Sequence, residues 1–233
     1  MEILRLSLAE GAEAARGLAV IIDVFRAFSC EPLLYYLGAK RIVLEGDPEA
    51  CLAFKQHDPE AVLVGEVNEV PIDGFDLTNS PSLILAAGPA QFAGRTIVHR
   101  TTSGVTGAIT ALPRCNEVLL GSFMTARATA ALIQKRQPQV VSLVAMGIRS
   151  RAKAPEDEAC GDYLESLLGG RPFDPLGALE AILAHETTAK FLRNDKAYLP
   201  PADPLLCLQR DLFDFALRAE RRGELIESVR CDP

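Results

Sequence analysis

Short apolar runs rich in β-branched residues recur along the chain and alternate with segments of helical period. That pattern admits few architectures besides a largely parallel sheet with helices on both faces. Candidate strands are Leu18–Ile22, Arg41–Leu44, Ala61–Gly65, Thr96–His99, Glu117–Leu120 and Gln139–Ala145. Between them the patterning predicts helices over Ala27–Leu37, Pro48–Gln56, Pro81–Ala87, Val105–Ala111 and Ser122–Arg136. In the last of these, Phe123, Ala126, Ala130 and Ile133 form one stripe, the face that a helix turns to a sheet. Pro155 followed by three acids announces another helix and Gly169-Gly170 its end, with Cys160, Tyr163, Leu164, Leu167 and Leu168 as the apolar side. The spacing also predicts helices over Leu176–Asn194 and Asp203–Arg218, the second carrying Leu205, Leu208, Leu212 and Phe215 on one side. At 233 residues and 48% hydrophobic, with no repeat or linker, the expected organisation is one α/β domain over residues 1–233.

A formal net charge of −7 and the lack of a basic tract argue against nucleic acid or an anionic membrane as partner, since both demand clustered Lys and Arg. A small anion in one cleft is compatible with that charge, because a few local donors suffice. The opening MEILRLSLAE has no long apolar stretch, and the longest apolar runs, Leu18–Ile22 and Val140–Met146, are far too short to span a bilayer. Six cysteines without C-x-x-C spacing point to reduced thiols. A cytoplasmic location is therefore expected. The carboxyl-terminal helices are the expected place for any homo-oligomeric interface.

Three polar loops follow predicted strands, where open α/β sheets bind ligands. The first is AVIIDVFRAFS: Asp23 at a strand end suits a hard cation, while Arg26 and Ser29 offer donors to phosphate oxygens. Asp23 equally suits capping of the next helix. The second is GEVNEVPIDGFDLTNSPS, in which Glu66 is a second strand-end carboxylate and Asn79-Ser80-Pro81 a helix entrance able to give N–H groups to an anion. The third is IVHRTTSGVTGAIT, where Arg100 precedes a compact nest of Thr101, Thr102, Ser103 and Gly104 at a helix start. Glu156 and Asp157 could ligate a metal or serve as general base, although acids in a first helical turn need no function, and that plainer reading suits Glu158. Arg149 and Arg151 could reach a second anionic group of a substrate.

Absences prune the chemistry. There is no G-x-x-x-x-G-K-[ST], G-x-G-x-x-G or G-x-S-x-G motif, and no cysteine is followed six positions later by arginine. The histidines are His57, His99 and His185, none at paired spacing, so a multi-histidine metal site is not expected and His99 reads as a structural neighbour of Arg100. The remaining carboxylates suit Mg²⁺, with Asp23 and Glu66 as ligands joined by Glu156 or Asp157.

In order, DVFRAFS, GEVNEVPIDGFDLTNSP, RTTSGVTGAI, EVLLGSFMTARATAALI and APEDEACGDYLESLL resemble the signature segments of the 2-phosphosulfolactate phosphatase family, and DPLLCLQRDLFDFALR its carboxyl-terminal region. The resemblance implies a three-layer α/β/α fold with a mostly parallel or mixed sheet. It also implies a magnesium-dependent phosphatase that removes phosphate from 2-phospho-3-sulfolactate, a step associated with coenzyme M biosynthesis. Thr78-Asn79-Ser80-Pro81-Ser82-Leu83 departs from that family's Gly-Asn-Ser-Pro-x-Glu, and Ser103 stands where it favours asparagine. The same loops would also serve a phosphatase for another small phospho-acid, or a non-catalytic binder of an anionic metabolite.

Overall fold

The computed structural model describes residues 1–233. Its strands are β1 (Glu2–Ser7), β2 (Leu18–Ile22), β3 (Arg41–Leu44), β4 (Val62–Val67), β5 (Val70–Pro71), β6 (Thr96–Arg100), β7 (Glu117–Gly121), β8 (Val140–Ala145), β9 (Ala216–Arg222) and β10 (Leu225–Cys231). The helices are α1 (Leu8–Ala14), α2 (Ala27–Tyr36), α3 (Pro48–His57), α4 (Pro81–Ala87), α5 (Pro89–Phe92), α6 (Gly104–Ala111), α7 (Ala126–Arg136), α8 (Pro155–Leu167), α9 (Pro175–Ala184), α10 (Glu186–Leu192) and α11 (Ala202–Cys207). The strands form one mixed sheet in the order β1-β8-β2-β7-β9-β10-β3-β6-β4-β5, with helices on both faces: a three-layer α/β/α arrangement.

Two parallel blocks make up this sheet, β1-β8-β2-β7 and β3-β6-β4. The β9–β10 hairpin joins them through three antiparallel pairings, so the blocks run in opposite senses along the sheet. Period-two alternation then divides the core. Ala19 and Ile21 of β2, Ile42 and Leu44 of β3, Val62 and Val64 of β4 and Ile97 of β6 all enter one cluster with Phe28 and Leu34 of α2 and Val105 and Ala108 of α6. On the other face, Leu18, Val20 and Ile22 pack with Ile133 of α7 and Leu164 of α8, while Val43, Leu63 and Val98 pack with Cys51 of α3. Both blocks thus turn one face to the layer that holds α2 and α6. Each of those two helices begins at the carboxyl end of a strand from a different block, and the two starts meet, Gly104 lying against Ala27 and Asp23.

The six expected strands and the first six expected helices form, with ends shifted by a few residues and a single 3₁₀ turn (Phe123–Thr125) opening the segment that continues as α7. Two expectations fail. Leu176–Asn194 is not one helix but α9 and α10, broken at His185, whose extended backbone (ψ 149°) stops α9 while its Nδ1 accepts the Thr187 N–H to start α10. Asp203–Arg218 is helical only over α11; Leu205 and Leu212 are 60% and 50% exposed, and residues from Ala216 form β9. The governing signal was the alternation that puts Leu217, Ala219 and Ile226 on one face around a two-residue turn at Gly223-Glu224. No helix is long and apolar enough to cross a membrane, and all six cysteines are free thiols.

Candidate active site

The loops after β2, β4, β6 and β8 and the starts of α8 and α10 converge on one narrow cleft lined by sixteen residues, of which only Phe25, Ile148 and Phe191 are apolar. Glycine makes the convergence possible. A Cβ on Gly104 would lie 2.7 Å from Ala27 Cβ and 2.8 Å from Asp23 Oδ2, so only glycine lets the α6 start abut the loop that carries Asp23.

Four carboxylates, Asp23, Glu66, Glu156 and Asp157, stand on the cleft floor, each 3–6% exposed. Asp23 follows β2 directly, and its Oδ1 accepts the Ala27 N–H (3.1 Å) as a cap for α2. Asp157 braces two loops, Oδ1 accepting from Val24 N (2.7 Å) and Oδ2 from Gly147 N (2.8 Å). Glu66 accepts the Thr102 N–H (2.6 Å) and hydroxyl (3.1 Å), and Glu156 accepts the Thr187 hydroxyl (3.2 Å). The cations near the cleft are engaged elsewhere. Arg26 pairs with Asp203 (2.8 Å), while Arg149 and Lys190 pair with Glu69, and no ion pair reaches the four floor acids.

Buried charges are ordinarily paired or metal-bound. Lacking cationic partners, Asp23, Glu156 and Asp157 hold their protons above the ordinary carboxylate range. Burial, then the Glu66 charge, raises Asp23 from 3.8 to about 6 against the opposing Ala27 N–H. Burial raises Glu156 to about 7, and burial with the charges of Asp23 and Glu156 pushes Asp157 well above its ordinary range.

Residues 5–200 match the family model for 2-phosphosulpholactate phosphatase. The chain belongs to that family. It is similar to the protein named probable 2-phosphosulfolactate phosphatase from Bacillus subtilis (strain 168), with 29% identity over 91% of each chain. The protein of the same name from Caldicellulosiruptor saccharolyticus is 33% identical, again over 91% of each chain.

In this member of the 2-phosphosulpholactate phosphatase family, the residues expected at the site divide into two sets. Arg26, Asn79, Thr102 and Ser103 line the cleft with the four acids. Ser29, Ser80, Arg100, Thr101 and Gly104 stand behind it. Ser29 donates to Val24 O (2.9 Å), and Thr101 Oγ1 accepts the Val105 N–H (2.9 Å) at the α6 start. Arg100 binds Gly46 O (3.0 Å), Glu66 O and Thr102 Oγ1 (3.1 Å), fixing the loop that presents Glu66. The α4 entrance does bind an anion, but an internal one: Ser80 Oγ (2.9 Å) and Ser82 N (3.0 Å) both donate to Asp203, the partner of Arg26. Glu158 turns away to Ser7 and Arg5.

His99 does more than neighbour Arg100. It is buried between Glu31 (Nδ1···Oε1 3.0 Å) and Asn79 (Nε2···Oδ1 3.0 Å), and by engaging the amide oxygen it leaves the Asn79 NH₂ as the group available to the cleft. Sequence reasoning missed Phe25, Glu69, Gly147, Ile148, Thr187, Lys190 and Phe191. Thr187, Lys190 and Phe191 have the i, i+3, i+4 spacing of one helical face, a signal that gains meaning only once α10 is separated from α9.

No three His, Cys, Asp or Glu side chains gather closely enough to enclose an ion by themselves. Magnesium does not need such a cage, because it keeps several waters and takes one or two carboxylates along with substrate phosphate. Oxygen donors without cationic partners, beside hydroxyl and amide donors, fit that ion.

Proposed function

We propose that this protein is a magnesium-dependent phosphatase that hydrolyses 2-phospho-3-sulfolactate to 3-sulfolactate and phosphate, a reaction of the coenzyme M biosynthesis type, in the cytoplasm. The observation that carries the reading is the floor of four nearly buried carboxylates without an ion pair, set beside Asn79, Thr102 and Ser103 in a cleft of a 2-phosphosulpholactate phosphatase family member. The names of the relatives supply the substrate.

Asp23 and Glu66 would hold the metal, with Asp157 bracing the loops on either side and Glu156 beside them. Bound magnesium would neutralise phosphoryl oxygens and acidify a water. The chain's own donors act on the other side of the phosphoryl group. The Asn79 amide, Ser103 and the Arg26 N–H groups that Asp203 and Tyr198 leave free meet its oxygens and stabilise the charge that develops there, while Thr102 holds Glu66 in place. Glu156, which accepts the Thr187 hydroxyl beside the metal ligands, would pass a proton to the leaving alkoxide oxygen as the P–O bond breaks.

The test is phosphate release from 2-phospho-3-sulfolactate and from an aryl phosphate in the presence of magnesium. Turnover abolished by a chelator and by Asp23→Asn is the expected result. Turnover that survives both removes the metal assignment, and tight 3-sulfolactate binding without any turnover leaves a non-catalytic binder. Trapping a phosphate on Asp23 would decide against direct attack by water.

A further inference from the structure

Glu69, Lys190 and Arg149 form a second charged group at the cleft, and the floor chemistry does not use it. Their side chains are 32%, 18% and 51% exposed, so they lie outward of the floor acids. Each oxygen of Glu69 answers a different cation: Oε1 pairs with Lys190 of α10, and Oε2 lies 3.3 Å from Arg149 NH2 in the loop after β8. Three separate segments thus supply one site, and neither cation has another acidic partner.

Backbone conformation marks the same residues. Asn68 and Glu69 are the two turn residues of the β4–β5 hairpin and both have positive φ, 51° and 73°. The second position of such a turn favours glycine. Arg149, across the cleft, is also left-handed at φ 51°. Two non-glycine residues in a costly conformation that meet each other over a cleft point to selection for their side chains.

Resting on the phosphatase reading of this cleft, we propose that Lys190 and Arg149 form a subsite for a second oxyanion of the substrate, a sulfonate or carboxylate, and that Glu69 is the internal competitor which the oxyanion displaces. The two cations come from separate segments, one a point charge and one a planar fork, which suits a group presenting several oxygens. Glu69 then sets selectivity. A substrate with a single charged end cannot displace it, whereas one with a second oxyanion gains both cations.

Calorimetry tests this without turnover, using 3-sulfolactate, its carboxylate analogue malate, and inorganic phosphate as a probe of the phosphoryl end alone. Lys190→Met and Arg149→Ala should each raise the Kd for the hydroxy-acids relative to that for phosphate by roughly tenfold. Glu69→Gln should move the same ratio in the opposite direction by several fold. A larger effect on 3-sulfolactate than on malate identifies the sulfonate, and an equal effect on both identifies the carboxylate that they share. The proposal is overturned if the ratio stays fixed, if Glu69→Gln weakens hydroxy-acid binding as Lys190→Met does, or if the native protein binds neither hydroxy-acid. Each variant is melted first, and Arg149→Ala, on an exposed side chain, carries the test should Lys190→Met not fold. Absence of phosphate release from every phospho-acid, with the ratio still shifting, sinks the catalytic reading and leaves the subsite standing.

Discussion

The floor and the rim of the cleft solve opposite electrostatic problems with the same residue types. On the floor, four carboxylates are almost wholly buried and no cation answers them. At the rim, one carboxylate answers two cations that are in part exposed. Hydrogen bonds hold the floor acids in place but do not cancel their charge, which is why burial drives Asp23 and Glu156 to about 6 and 7. The contrast is between uncompensated negative charge at the floor and paired charge with an excess cation at the rim, and it is this difference that the proposed metal-bound phosphate ester with a second acid group would use.

The hardest blow to this division is struck at Asp23. Asp23→Asn keeps the shape and a hydrogen-bonding oxygen for Ala27 but removes the charge, and kcat/KM should fall about a thousandfold. Steady-state rates of phosphate release check this. A loss under tenfold would show that the floor charge is structural.

Next in size is Asn79, which stands where the floor meets the phosphoryl donors. Asn79→Asp replaces the amide NH₂ by a carboxylate oxygen while leaving an acceptor for His99 Nε2, and kcat/KM should drop by about a hundredfold. Asn79→Ala should cost less, because it adds no like charge. Equal losses in the two variants would separate Asn79 from the anion.

How much of this was legible in the sequence follows from which interactions are local. Asp23, Glu66, Asn79, Thr102 and Ser103 could be read as cleft residues because each sits within a few residues of a strand end or a helix start, whereas Thr101 and Gly104 lie behind it. Glu156 and Asp157 were legible as acids at a helix start, but not as floor residues, since their burial depends on loops from β2 and β8. Nothing near Ser80 or Arg26 announces Asp203, which is more than a hundred residues away and takes the Ser80 hydroxyl and one arm of the Arg26 guanidinium. Lys190 was hidden by a period error, because α9 and α10 read as one helix unless the break at His185 is seen. The β9–β10 hairpin was lost the same way, its alternation overlapping a short run of leucines at helical spacing.

A third test uses pH to separate floor from rim. Asp23 and Glu156 have folded-state pKa values above their unfolded ones, so between about pH 4 and 7 the native state binds protons that the unfolded chain has released. Their contribution to stability is therefore largest at low pH and is lost as pH rises through that window. Magnesium should restore it, raising Tm by roughly 5 °C at pH 8 and by much less at pH 5. Thermal melts with and without magnesium at the two pH values read the effect. An equal shift at both would show that the ion binds away from the titrating floor.

The smallest effect isolates what the rim costs. Glu69→Ala and Glu69→Gly both remove the carboxylate and free Lys190 and Arg149, so any difference between them reports the backbone. At φ 73° a Cβ is penalised and glycine is not, and the glycine variant should be the more stable of the two by about 1 kcal/mol in urea unfolding. The reverse order would mean that residue 69 does not hold its left-handed conformation in solution. Confirmation would mean that the turn carries a side chain at a position where glycine is the more stable choice, a cost that fits selection for the carboxylate rather than for the turn.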